Sequence, residues 1–370
     1  MRRDEARPTG ELRFEFVQGK TACTTSYARY PIKFISATRA ADGSCSWVYT
    51  LGYGGGAVCG DQVTVTCHVE EKSTAALTTQ GSTKVFKRGS KSEVATATAL
   101  ESEGIHCASQ TLLARIARGS LLAVIPDPVT CFKNSSFRQH QRFLLEHGSS
   151  LVLVDWLTSG RMSRGEGWDF NRLESRNEVM MQMPAKSDDG GQAKGRGNGS
   201  FGGWKSLVLD SLVLEDLPGL SVRERMLGMN VVGVVILLGP RLEGLVSTVL
   251  EFETQRRSRF PAGLEPRGKV VPTTEAAGKT ALPSRERGRG RTISSVSPLK
   301  GGINDWCQGL VYRFAAERTD DARGMLHDLL LPLQQALGGR APYSREGEIL
   351  ELQQCTAPSP STALRVRQQA

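Results

Sequence analysis

Between Gln62 and Glu70 the chain alternates strictly: Val63, Val65, Cys67 and Val69 fall on one face, and Thr64, Thr66, His68 and Glu70 on the other. A side-chain period of two with β-branched residues on the apolar side predicts a half-buried strand. Shorter runs of the same kind occur at Leu12–Val17, Cys45–Tyr49, Thr83–Phe86, Ser120–Ile125 and Phe137–Leu145. Leu151-Val-Leu-Val-Asp-Trp-Leu157 is apolar on both faces and predicts an interior strand. Strands this closely spaced, joined by Gly/Ser/Thr turns without intervening helices, predict a mainly β chain: a sandwich, a barrel or a β-solenoid. No exact repeat chooses among them.

Two stretches break the alternation. Residues 184–203 are rich in glycine with almost nothing to bury, and are expected to form a flexible loop. Residues 255–300 carry eleven basic side chains against three acidic ones, which is +8 of the chain's formal +9. Dominated by Arg, Pro, Gly, Ser and Thr, this segment is expected to be a second flexible, disordered loop. Strand-like Leu207–Leu214 and Met229–Leu238 lie between the two loops. After the second loop the period becomes helical. Thr319 is placed to cap a helix with Asp320 and Asp321 in its first turn, and Leu326, Leu329, Leu330, Leu333 and Leu337 follow. Pro332 predicts a kink or two short helices, and Gly338-Gly339 the end. A single β domain over residues 11–343 with a small C-terminal helical part and a disordered tail, 344–370, is the expected organisation.

Several function classes are disfavoured. The eight cysteines contain no C-x-x-C pair, so neither a zinc ribbon nor a redox dithiol is signalled. The N-terminus lacks an apolar signal core, and the apolar run Val231–Leu238 is far short of a membrane helix, so a cytoplasmic protein with reduced thiols is expected. Gly55–Gly60 has the spacing of a phosphate-cradling loop, but Asp61 stands where lysine is needed. There is no H-E-x-x-H and no G-x-S-x-G. Cys67-His68 and His106-Cys107 are adjacent pairs, whose side chains leave a strand on opposite faces, so neither chelates one ion without a bend. Arg287-Gly-Arg-Gly-Arg291 has the composition of basic RNA-binding segments, and an RNA-associated protein acting through 255–300 is the alternative reading. That run stands alone without interleaved aromatics, so nucleic acid is not the expected partner.

Three constellations remain: Gly-Gly-Gly-Ala-Val-Cys-Gly-Asp at 54–61, Thr-Thr-Gln-Gly-Ser-Thr-Lys at 78–84 with Pro-Asp-Pro at 126–128, and Leu151-Val-Leu-Val-Asp-Trp-Leu-Thr-Ser-Gly-Arg-Met-Ser-Arg-Gly-Glu-Gly-Trp-Asp-Phe170. In this order and spacing they closely resemble the UreD (UreH) urease accessory proteins, particularly plant- and fungus-like members. The likeness spans about residues 15–180 and resumes over 309–343. Phe86 stands where the family usually has Tyr, and the two loops are insertions. The resemblance implies a stacked-strand, β-helical or solenoid-like core with a small helical part, and no catalytic activity. It further implies a complex with a helical UreF-type protein and a UreG-type GTPase that engages apo-urease and helps deliver nickel to its carbamylated-lysine site. No cofactor is then tightly bound; Ni²⁺ is cargo in transit.

A protein that passes nickel onward should hold it weakly, through scattered carboxylates and thiols. Asp61 and Glu166 are the acids of the two glycine-framed motifs, and Cys59 shares a face with Asp61 if the segment is extended. These three are the candidate transient nickel contacts, lining a polar path through the β core. Equally, each acid can simply cap the turn its glycines make, and Arg161 is placed to neutralise Glu166. Gly55, Gly56, Gly60, Gln80, Gly81, Lys84, Arg161 and Gly165 are the remaining motif positions, expected to be structural. The stripe Leu326–Leu337 is a candidate partner surface, though a helix packed on its own β core would show the same stripe.

Overall fold

A computed structural model describes residues 7–36, 43–87, 107–183, 203–259, 290–301 and 307–344. The early strands are β1 (Gly10–Val17), β2 (Lys20–Ala28), β3 (Ile32–Ser36), β4 (Ser46–Gly52), β5 (Gly56–Ala57) and β6 (Gln62–Val69). There follow β7 (Thr74–Thr79), β8 (Thr83–Val85), β9 (Ala108–Ile116), β10 (Leu121–Val124), β11 (Val129–Cys131) and β12 (Ser136–Leu145). The last six are β13 (Ser150–Thr158), β14 (Arg172–Gln182), β15 (Trp204–Glu215), β16 (Val231–Leu238), β17 (Thr292–Gly301) and β18 (Cys307–Ala316). The chain is mainly β.

The strands form two sheets. One has seven strands in the order β15-β14-β12-β9-β6-β1-β2, and the other has β17-β18-β16-β13-β10-β7-β4-β3 as its main path. The chain alternates between them: β6, β9, β12 and β14 lie in the first sheet, and β7, β10 and β13 in the second. Within each sheet these neighbours pair in parallel. Parallel neighbours need a crossover, usually a helix. Here a strand of the opposite sheet supplies it, which is why turns rather than helices separate the sequence runs. At the edges the pairing becomes antiparallel, through β2, β15, β3 and the β13-β16-β18-β17 series.

Burial follows the alternation. Val63, Val65, Cys67 and Val69 of β6 enter the core between the sheets with Leu12, Phe14, Phe143 and Leu145. All nine residues of β13 are buried. Leu151 and Leu153 join the intersheet core, whereas Val152, Val154 and Trp156 meet a second core on the far side of the larger sheet. The helices Glu243–Arg259 and Thr319–Leu330 cover that far side, through Leu245, Val246 and Val249 of one and Leu326, Leu329 and Leu330 of the other. The C-terminal leucine stripe therefore faces the protein's own β core.

Some boundaries correct the sequence reading. The segment 255–300 is not one loop: a helix runs to Arg259, and β17 begins at Thr292. Residues 260–289 lie outside the described residues, as do 184–202 of the first loop and 345–370 of the tail. Thr319 is the first helical residue rather than the cap. Arg318 occupies the cap position without a side-chain capping bond. Helix Thr319–Leu330 gives way to a 3₁₀ turn, Leu331–Leu333, at Pro332.

Candidate functional site

The motif segments are neighbours in space. β5, β8, β11 and the end of β13 form a short parallel ladder, with Gly56 opposite Lys84, Thr83 opposite Val129, and Val129 opposite Leu157. Three loops separated by many residues are thereby stitched into one end of the molecule. Gly56 is essential to this ladder, because a Cβ there would lie 2.1 Å from the Lys84 carbonyl oxygen. Gly56→Ala should therefore unzip β5 from β8. The expected result is a destabilisation of about 1–3 kcal/mol from overpacking, together with faster amide exchange at Phe86, whose N–H donates to the Ala57 carbonyl at 2.9 Å. Gly55, Gly60, Gly81 and Gly165 have φ of 75°, 94°, 77° and 74°, in the left-handed region. Gln80 and Lys84 are exposed.

Asp61 lies in the turn that leads into β6. Its carboxylate accepts the Val58 N–H at 2.9 Å, its own N–H donates to the Val58 carbonyl at 3.0 Å, and its carbonyl accepts the Ser109 N–H at 2.8 Å. Cys59 lies within the same turn and is half-buried. Glu166 sits in the glycine-framed loop after β13, where the Arg161 guanidinium grips it with two donors, one bond being Nε to Oε2 at 2.8 Å. The guanidinium stacks 4.1 Å from the centroid of the Phe132 ring. Arg161 holds the Glu166 carboxyl below the usual carboxylate range by donating these bonds. The structure thus joins Glu166 to Arg161, and Asp61 to the turn around Cys59. No group of three or more His, Cys, Asp or Glu able to hold a metal ion occurs among the described residues. Of the tempting adjacent pairs, Cys67 is buried in the core and its thiol is pushed up strongly by burial. His68 leaves the other face, and its pKa is lowered by burial and then by Arg13. His106 lies outside the described residues. Cys131, the last residue of β11 in the motif ladder, is buried with its thiol pushed up to about 12, which makes it a poor ligand at neutral pH.

Two further acids carry more of the site's electrostatics. Asp127, the centre of Pro-Asp-Pro, is buried, accepts the Gly81 N–H at 3.0 Å and pairs with Arg323 of the C-terminal helix. On either side of it, the Pro126 carbonyl accepts the Trp156 Nε1–H and the Tyr343 hydroxyl, each at 2.9 Å. Asp155 lies between the two sheets. It accepts Gln139 Nε2 at 3.0 Å, the Ser175 hydroxyl at 2.5 Å and Asn177 Nδ2 at 2.8 Å, and Gln141 Nε2 donates onward to Asn177 at 3.0 Å. Burial raises the Asp155 pKa, the three donors oppose that rise, and Asp210 adds to it. Asp210, which lies opposite Asn177 in register, ends this polar seam in an ion pair with Arg313 at 2.7 Å. The signal for Asp155 was present in the sequence as one acid inside Leu-Val-Leu-Val-Asp-Trp-Leu, a strand apolar on both faces.

Comparison with known proteins matches nearly the whole chain to one family. The family model described as UreD urease accessory protein matches residues 7–347. "Urease accessory protein D" of Oryza sativa subsp. indica is 34% identical over 342 residues, covering 91% of this chain and 96% of that protein. The Arabidopsis thaliana protein of the same name is 33% identical over 340 residues, covering 91% and 99%. "Urease accessory protein UreD" of Sorangium cellulosum is 31% identical over 338 residues, covering 91% and 84%. With the motif loops stitched into one ladder and the match running through both sheets to the C-terminal helix, the chain belongs to the UreD family of urease accessory proteins.

Proposed function

We propose that this protein, an accessory factor of urease maturation, acts in the cytoplasm as a non-enzymatic scaffold for nickel insertion into apo-urease. It does so in complex with a UreF-type helical protein and a UreG-type GTPase, and its winding of strands between two sheets is a β-helical platform for that assembly. Ni²⁺ is the cargo rather than a resident cofactor. The observation that carries this reading is the polar seam around Asp155. An ionisable carboxyl and four amide or hydroxyl side chains enclosed between two sheets cost stability that an apolar core would not. Such groups accumulate where a polar species has to be met.

Asp61 and Glu166, with Cys59 as a soft contact, are proposed as outer points of that route. Each acid is engaged by a local turn or by Arg161 and would meet the ion one ligand at a time, which suits transfer better than storage. Asp61→Ala and Glu166→Gln, made separately in a chain co-expressed with the helical protein and the GTPase, provide the test. The expected result is co-elution of all three proteins on size-exclusion chromatography with a reduced yield of active urease. Unchanged activation with intact assembly would remove that residue from the route, and failure to co-elute with either partner would overturn the scaffold reading. Arg291, the last residue of the Arg-Gly run, is bound into the fold: its N–H donates to Glu317 at 3.0 Å and its guanidinium to the Leu227 carbonyl at 2.7 Å.

A further inference from the structure

β15 ends the seven-stranded sheet, paired to β14 on one side and to no strand on the other among the described residues. At twelve residues it is the longest of the described strands. Its inner residues Val208 and Leu214 are buried, whereas Leu209 and Val213, on the outer face, are 58% and 41% exposed. Sheet edges are ordinarily blunted by short length, proline or lysine. The other three edges carry such devices: β3 has five residues and bears Lys33, β17 bears Pro298, and β2 opens on Lys20. β15 has Lys205 near its start, but its stretch 207–214 holds a single charge, Asp210, which is paired with Arg313 at 2.7 Å. A long apolar edge of this kind is a template for another strand. We propose that a second copy of this chain occupies it, the two β15 strands pairing antiparallel about a two-fold axis at Ser211. This role is independent of the nickel reading.

A strand that meets its own copy has to be self-complementary. Residues directly opposite in an antiparallel pair share a face. Centred on Ser211, the pairing sets each copy's Leu209 against the other's Val213 on the outer face, with Ser211 against itself. On the inner face it sets Val208 against Leu214 and Asp210 against Leu212. Centring on Asp210 would bring two carboxylates together, and centring on Leu212 would set Leu209 against Glu215. The charges beside the seam are already balanced within each copy. Leu209 and Val213 lie opposite Glu178 and Glu174 of β14. Arg142 faces Glu178 at 3.5 Å, and Arg138 and Arg172 face Glu174 at 3.4 and 3.5 Å. No uncompensated like charge therefore opposes approach. The antiparallel sense also turns the motif loops of the two copies to opposite ends. β15 runs toward the short helix Val222–Arg225, whose Arg223 donates to the Gly167 carbonyl at 2.9 Å in the loop after β13.

The test uses the purified full-length chain, its mass read by sedimentation equilibrium from about 1 to 100 μM, the range suited to a seam smaller than a standard interface. A concentration-dependent doubling from 40.2 kDa is expected. Leu209→Lys combined with Val213→Lys sets lysine against lysine twice across the axis and should weaken association by about 100-fold. Both side chains are exposed, so the Tm of the monomer should hold. Mixing a Leu209→Lys chain with a Val213→Glu chain sets one lysine against one glutamate, and the mixed dimer should be about tenfold tighter than either variant with itself. That readout reports the register and separates β15 pairing from association through any other face. A monomer throughout the range, a dimer indifferent to the two lysines, or no preference for the mixed dimer would overturn the proposal. So would a monomer whose free-edge β15 amides exchange slowly, which would assign the edge to a segment of the same chain. Slow exchange there only with the helical protein bound would overturn it in favour of that partner.

Discussion

Asp127→Ala is expected to lower the free energy of unfolding by about 3 kcal/mol, the lower end of the range for breaking a buried ion pair, since water reaches one side of Arg323. The carboxylate is 5% exposed and its guanidinium partner 25% exposed. Removing the carboxylate leaves Arg323 without its counter-charge and the Gly81 N–H without its acceptor. The loss does not stay local. The Asp127 N–H donates to Thr79 Oγ1 at 2.8 Å, and that hydroxyl donates to the Gly81 carbonyl at 3.1 Å, so the Thr-Thr-Gln-Gly-Ser-Thr-Lys loop is shaped around this residue. The adjacent Pro126 carbonyl anchors Trp156 and Tyr343, whose rings meet edge-on at 5.9 Å. The ladder, the interior strand and the C-terminal segment are thus pinned at one place. Urea titration would show a lower midpoint with an unchanged slope. Arg323→Met, which removes the guanidinium and keeps the stem, should also lower stability, because it leaves the Asp127 carboxylate, the more buried of the two groups, without its counter-charge. A loss below about 0.5 kcal/mol in Asp127→Ala, the level of an ordinary surface substitution, would show that the pair does not hold the helix to the sheet.

How much of this could be read from the chain depends on where the partner of each residue lies. β6 and β13 announce themselves because their inner faces are apolar, and alternation reports burial directly. β14 is hidden because Ser175 and Asn177 point into the core with Leu173 and Val179, so its inner face does not read as hydrophobic. The helix Glu243–Arg259 is hidden because its buried stripe is largely Val and it runs into an arginine-rich stretch. β17 carries Pro298, which an edge strand tolerates and an interior strand does not. The glycine-framed turns were legible, because a left-handed φ leaves a mark in composition. The Asp127–Arg323 pair, 196 residues apart, and the donors to Asp155, 16 to 22 residues away on two other strands, left none. Those contacts exist only once the two sheets face each other.

Asp155→Ala is expected to be as damaging as any loss in the intersheet core, about 3–5 kcal/mol, because three buried donors lose one acceptor group at about 1–3 kcal/mol for each one stranded. Gln139 keeps its contact with the Ser175 hydroxyl at 3.2 Å, which holds the total below the simple sum. Asp155→Asn preserves the shape and isolates the charge. Burial, its largest influence, raises the Asp155 pKa above the ordinary 3.8, so the native state retains a proton that the unfolded chain releases. The sign follows from linkage. The contribution of this carboxyl to stability is fully present below the unfolded value and is lost as pH rises through the folded one. Asparagine has no proton to lose. Wild type should therefore exceed Asp155→Asn in stability by most at about pH 4, and the gap should narrow steadily as pH rises above it, with every other titrating group common to both proteins. Urea midpoints of the pair, taken at intervals of one pH unit from about pH 4 to pH 8, measure that gap. A gap that stays constant would mean that the three donors cancel the burial and leave the carboxyl titrating as it does in the unfolded chain. A gap that widens with pH would mean that they outweigh it, and the polar seam would then be built around a carboxylate anion rather than a retained proton.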